Sequence, residues 1–162
     1  MATALKSAGT MNLEAARGAR VVIIEARYYD KIADDLAEGA LAVLRAHACE
    51  VVRFDVPGAL EIPQALGIIA EGDADFDGCV ALGCVIRGET YHFEVVCDNA
   101  NRSLMQTAIE YAMPVGNGIL TVENEAQAIA RASGGAAGKG GDAARACLRL
   151  IAIQREVGET SL

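Results

Sequence analysis

The sequence contains no tryptophan, and aromatic residues make up only 4% of it. No apolar run approaches the roughly 20 residues that a membrane-crossing helix requires, which excludes a helical span. Cations are outnumbered: 14 Lys and Arg against 22 Asp and Glu leave a net charge of −8 and a pI near 4.7. Nucleic-acid binding needs clustered Lys and Arg, so nucleic acid is excluded as a partner. The first 19 residues lack an apolar core flanked by cations and do not read as a secretory leader. Cys49, Cys79, Cys84, Cys97 and Cys147 form no CxxC pair or other zinc spacing. Lying mostly in apolar runs, they read as reduced, buried thiols of a cytoplasmic protein without a metal.

What is present is apolar and aliphatic. Hydrophobic residues make up 52% of the chain, mostly Ala, Val, Leu and Ile, and mean hydropathy is +0.26. This suits helices packed tightly on a sheet. It also exceeds what a small monomer needs, which points to apolar surface buried between subunits. At 162 residues the chain is about one domain long.

The hydrophobic pattern alternates between strand-like and helical periods. Residues 1–19 read as a mobile segment or one packed on a neighbouring subunit, and residues 20–162 as a single catalytic α/β domain. Arg20-Val-Val-Ile-Ile24 is a short β-branched run typical of a central strand. Asp30 is placed to cap a helix with the apolar stripe Ile32, Leu36, Ala40, Val43 and Leu44. Residues 50–56 form a second strand, read as central and ended by Pro57-Gly58. Pro63 fits the first turn of a helix closed by Gly72. Residues 77–85 form a strand buried on both faces, followed by a helix over 92–113. Pro114 precedes a fourth strand over 115–122. A short helix over 123–132, a Gly-rich break and a last helix over 142–157 complete the chain. Strand and helix alternate throughout, which implies a doubly wound, three-layer α/β fold of the flavodoxin-like kind, with a parallel four-stranded sheet. Ligands of such sheets sit beyond the carboxyl ends of the strands.

The loops at those ends hold the chemically unusual residues. Arg87-Gly88-Glu89-Thr90 leaves a buried strand and opens a helix. Free N–H groups and the positive helix end make such a turn an anion site. His92, one of two histidines, would carry protons beside it. Equally, Thr90 reads as a helix cap and His92 as a surface residue. Glu61, rigidly held between Pro57 and Pro63, suits the hydroxyls of a polyol, or simply favours the start of its helix. Tyr28 and Tyr29 offer a stacking surface for a flat heteroaromatic ring, or a packing contact. Arg131 is either a phosphate ligand or a charge complementing a helix C-terminus. Ser133-Gly-Gly-Ala-Ala-Gly-Lys-Gly140 fails as a phosphate-binding P-loop, because Ser133 and Gly140 stand where Gly and Ser or Thr are needed. Its glycines read as a flexible joint. His47, the cysteines and the Asp34, Asp35 and Glu38 cluster read as structural or solvated.

Gly58-Ala-Leu-Glu-Ile-Pro63, Gly83-Cys-Val-Ile-Arg-Gly-Glu-Thr-Tyr-His92, Gly118-Ile-Leu-Thr-Val-Glu-Asn124 with Gln127, Ala128 and Arg131, and Lys139-Gly140 together resemble the lumazine synthase family in order and spacing. The resemblance covers roughly residues 20–157, and the second motif is its most specific part. It implies a cofactor-free transferase of riboflavin biosynthesis. The reaction condenses 5-amino-6-ribitylaminouracil with 3,4-dihydroxy-2-butanone 4-phosphate, giving 6,7-dimethyl-8-ribityllumazine, phosphate and water. It further implies sites shared between adjacent subunits of a homopentamer, alone or built into a decamer or a 60-subunit capsid. By position, Tyr28 matches the ring-stacking aromatic. Ala59, Leu60 and Glu61 match the ribityl-contacting segment, and Val85 and Ile86 the pyrimidine-edge contacts. Gly88, Glu89 and Thr90 match the backbone part of the phosphate site, and His92 the proton-transfer residue. Asn117, Lys139 and the phosphate ligand Arg131 match positions supplied by the neighbouring subunit.

Three positions depart from the family's pattern: Tyr29 where Asn is common, Leu60 where Phe is frequent, and Ala137-Gly-Lys-Gly140 where Gly-Asn-Lys-Gly is common. The first two bear on how tightly ring systems are held, the third on capsid assembly. The competing readings are a related archaeal-type riboflavin synthase, a flavin- or lumazine-binding carrier without catalysis, and a purely structural shell-former. The fit of the 83–92 motif disfavours the first, and intact Glu61, His92 and Arg131 disfavour the others.

Overall fold

The computed structural model describes residues 11–160. Among them, β-branched runs become strands and amphipathic stretches become helices, alternating as far as α4, after which a second helix follows with no strand between. The order is β1 (Arg20–Ala26), α1 (Asp30–Ala46), β2 (Glu50–Val56), α2 (Glu61–Glu71), β3 (Gly78–Ile86), α3 (His92–Glu110), β4 (Val115–Val122), α4 (Glu125–Ala132) and α5 (Lys139–Thr160). All strand pairs are parallel, in the spatial order β2-β1-β3-β4. The fold is therefore the expected doubly wound α/β sandwich.

Two apolar layers hold the sheet. On one face Val21 and Ile23 of β1 meet Leu36 and Leu44 of α1 and Leu148 and Ile151 of α5. On the other, Val22 and Ile24 meet Ile62 and Leu66 of α2 and Leu104 of α3. Consecutive residues of a strand point to opposite faces, so a strand covered on both sides must be apolar throughout. This is why β1 and β3 read as unbroken hydrophobic runs. Burying each such Leu, Ile or Val contributes on the order of 1.5–3 kcal/mol.

The structure differs from the sequence reading at several points. β2 is an edge strand, not a central one, and its side chains are mostly exposed. Asp30 does not cap α1. The N-cap is Tyr29, with no side-chain cap bond, and the Asp30 carboxylate lies 3.4 Å from Arg27 Nη2. α4 begins two residues later than expected, because the Asn124 side chain accepts the Gln127 N–H at 2.9 Å. Of the N-terminal segment, residues 1–10 lie outside the described residues. Residues 13–19 pack on their own chain, where Leu13, Ala16 and Ala19 are buried and Arg155 Nη1 donates to the carbonyl of Ala15 at 2.9 Å.

The Gly-rich stretch is a close-packed crossing rather than a loose joint. Gly134 adopts φ +100°, a left-handed conformation that favours glycine. Gly140 opens α5 directly against the α1 backbone, and a Cβ there would overlap the carbonyl of Leu36. α5 consequently starts at Lys139, three residues before the expected Asp142.

Candidate active site

The strand order reverses between β1 and β3, since each connects outward to its own edge. A cleft opens where two outgoing connections diverge in this way. Here it holds about 500 Å³ beyond the carboxyl ends of β1, β2 and β3. Tyr28 and Tyr29 enter it after β1, and residues 57–61 after β2. Cys84, Val85 and Ile86 form its floor, while Gly88, Thr90, His92, Phe93 and Val96 come from the β3–α3 turn and the start of α3.

Tyr28 is 73% exposed. Its ring stands edge-on to that of Tyr29, with centroids 4.9 Å apart and planes at 71°. Tyr29 is half-buried, and burial raises its phenol pKa, so the ring is neutral and serves as a wall. One face of Tyr28 is left to a ligand. Behind the loop lies an ion-pair network that sequence reading missed. Glu25 is buried at the end of β1, accepting from Arg53 Nη2 at 2.8 Å and Arg27 Nη1 at 3.0 Å. Arg27 Nη2 also donates to Asp34 at 2.7 Å. The network pins the chain just before Tyr28. An acidic residue inside a β-branched run, with an Arg two positions on, was the available signal.

Glu61 sits in the first turn of α2, where its charge complements the helix dipole. Among the described residues nothing pairs with its carboxylate, which leaves it free to accept. Burial pushes the Cys84 thiol up to about 11, so it is a neutral floor group and not a nucleophile near pH 7.

The β3–α3 turn presents an open row of backbone donors. Among the described residues, the N–H groups of residues 88–91 find no acceptor. No side-chain bond caps α3 at Tyr91, and nothing approaches within 4 Å of where a Gly88 Cβ would stand. The Thr90 hydroxyl accepts weakly from the His92 N–H, at 3.4 Å. His92 follows on the rim, exposed.

Arg87, read from sequence as part of this anion site, is turned away from it. It pairs with Glu94 and Glu123 and lies over the Phe93 ring. Glu89 is exposed and does not line the cleft, and neither do Asn117, Arg131 or Lys139. Asn117 Nδ2 donates to Asn101 at 2.7 Å. Arg131 Nη1 donates to the Gln127 carbonyl at 3.1 Å, and Lys139 pairs with Asp142 at 3.3 Å. Phe93 and Val96 were not foreseen as cleft residues, although their spacing of three puts both on one helix face with the cleft. Among the described residues, no group of three His, Cys, Asp or Glu is placed to hold a metal.

The family model for 6,7-dimethyl-8-ribityllumazine synthase matches residues 18–155. A 6,7-dimethyl-8-ribityllumazine synthase of Azorhizobium caulinodans is 53% identical over 146 residues, covering 88% of this chain and 90% of its own. One from Xanthobacter autotrophicus is 50% identical over 161 residues, covering 96% and 97%, and one from Bartonella bacilliformis is 51% identical over 141 residues, covering 86% and 92%. The match spans both the sheet and every loop that forms the cleft, and the chain belongs to the 6,7-dimethyl-8-ribityllumazine synthase family.

Proposed function

We propose that this chain condenses 5-amino-6-ribitylaminouracil with 3,4-dihydroxy-2-butanone 4-phosphate to 6,7-dimethyl-8-ribityllumazine. The observation that carries the reading is the convergence of a stacking ring, a free carboxylate, an open row of amides and a histidine on one cleft. Tyr28 stacks on the pyrimidine, whose edge lies along Val85 and Ile86. Ala59 and Leu60 line the ribityl chain and Glu61 accepts its hydroxyls. Backbone amides of Gly88, Glu89 and Thr90, with the Thr90 hydroxyl, hold the phosphate at the positive end of α3.

The chemistry then moves only protons and leaving groups. The uracil 5-amino nitrogen attacks the butanone carbonyl, and loss of water gives an imine. Removal of a carbon-bound proton expels phosphate and gives an enol, which tautomerises to a ketone. The ribityl-bearing nitrogen closes the second ring with loss of a second water. His92, at the rim beside the phosphate cradle, is placed to take and return these protons. Holding the two reactants together supplies much of the rate, since effective molarity alone can offset about 7–11 kcal/mol.

Among the described residues no Lys or Arg lines the cleft of one subunit, while Arg131, Lys139 and Asn117 lie elsewhere on its surface. Ile68 and Ile109, on α2 and α3, are 75% and 80% exposed, an apolar surface that a subunit contact would cover. Both features support sites that lie between neighbouring subunits, which we read as those of a cytoplasmic homopentamer with Arg131 completing the adjacent subunit's phosphate site. A lumazine or flavin carrier would need the ring clamp without a proton carrier at its edge, and is disfavoured. The test is incubation of the purified protein with both substrates, following lumazine fluorescence and released phosphate together. Neither signal appearing would overturn the reading.

A further inference from the structure

We infer that Arg87 is a positioning residue for His92: its guanidinium bolts the first turn of α3 to the ends of β3 and β4. By sequence position Arg87 belongs with the anion-binding turn, but two of its three donor nitrogens are already engaged by carboxylates. Nε donates to Glu123 Oε2 at 2.7 Å, at the end of β4. Nη1 pairs with Glu94, in the first turn of α3. The guanidinium carbon lies 4.3 Å from the centre of the Phe93 ring, and the Arg87 N–H donates to the Val122 carbonyl at 2.9 Å. Two carboxylates on one cation leave this cluster net negative, a poor setting for a phosphate.

The three residues on the far side of the clamp are consecutive: His92, Phe93 and Glu94. Phe93 and Glu94 are gripped directly. The His92 ring has no hydrogen-bond partner among the described residues, and no side-chain bond caps the helix before it. Its placement therefore depends on the backbone of this one turn. The rest of α3 is held independently, by Val96, Ala100 and Leu104 in the apolar layers, so loss of the clamp displaces the turn and leaves the fold. Only a planar fork can span two carboxylates and lie flat on a ring at once, and a lysine cannot. The inference rests on the proton-transfer role proposed for His92.

The test is a double-mutant cycle in the assembled enzyme. Arg87→Met keeps an apolar stem on Phe93 but removes the fork. A displacement of about 1 Å at a reacting group can cost on the order of 100-fold, so kcat is expected to fall about 10- to 100-fold. KM for the phosphorylated substrate should stay within about twofold. In a His92→Asn background the same substitution should cost less than about threefold, because the residue it acts through is gone. An equal loss in both backgrounds overturns the proposal, as does a large rise in KM with kcat unchanged, the signature of an anion ligand. Glu123→Gln weakens one arm only, and should give a smaller kcat loss that also vanishes with His92→Asn. It keeps the cycle readable if Arg87→Met does not fold.

A second readout needs no turnover. The chain has two histidines, so its ring NMR spectrum has two sets of signals, that of His92 being the one lost in His92→Asn. Arg87→Met or Glu123→Gln should shift or broaden the His92 signals and spare those of His47; unmoved His92 signals overturn the clamp. Absence of turnover in the unaltered protein would count against the proposed reaction, and leave this comparison to judge Arg87.

Discussion

His92 stands at the mouth of the cleft, its ring without a hydrogen-bond partner among the described residues, directly after a row of amides that also find none there. One general acid–base group is typically worth about 10²–10⁴-fold, less than proximity supplies. His92→Ala is therefore expected to lower kcat by about that factor and leave measurable product, and undiminished turnover would remove His92 from the mechanism. Arg131→Ala should act differently, raising KM for the phosphorylated substrate with a smaller change in kcat, as steady-state kinetics would show. That Tyr28, Glu61 and His92 line the cleft was legible in the sequence, because residue type and loop position coincide in each. Arg87 was not. Its partners lie 7 and 36 residues away, and no local pattern reports that a cation at a strand end is already taken by carboxylates from two other elements. The role of Glu25 was not legible for the same reason: its cations come from the loop that follows β1 and from β2.

The crossing of α1 and α5 shows what glycine does at the scale of an element. Gly140 lets the start of α5 touch the α1 backbone at Leu36, and an added methyl has no flexible side chain to displace. Gly140→Ala is expected to destabilise the protein by about 2–3 kcal/mol, at the upper end of core overpacking, read as a lowered thermal midpoint. A neutral result would mean that α5 shifts along α1 without loss. From the chain alone these glycines looked like slack, because glycine for close approach and glycine for flexibility have the same local composition. Strand and helix identities were legible, since burial on both faces or on one stripe writes its own period. The lateral order of the strands was not. The polar residues Glu50, Arg53 and Asp55 in β2 were the available sign of an edge, outweighed by the apolar residues between them.

Across the whole molecule, buried thiols tie stability to alkaline pH. Burial pushes Cys84 up to about 11 and Cys147 up to about 12 from an ordinary value of 9.0, and Cys79 well above it. A raised folded-state pKa gives stability that is full below the unfolded value and is lost as pH rises towards the folded one. Denaturant midpoints should therefore hold up to about pH 9 and fall progressively towards pH 11–12. Replacing Cys147 with Ala should flatten that fall, and an unchanged slope would show that other groups govern it. The shared-site reading makes its own prediction at this scale: specific activity should drop on dilution in step with subunit dissociation, measured by mass photometry, while the far-UV spectrum persists. The sheet carries a last consequence, for how the chain is made. β1 must find β3 at a register of Val21 to Gly78, and the cover that α1 gives one face of both strands is completed by Cys147, Leu148 and Ile151 of α5. During synthesis part of an apolar face of the sheet stays open until α5 leaves the ribosome. The nascent chain is thus most exposed to misassociation in the interval when its polar edge strand β2 is already made and α5 is not.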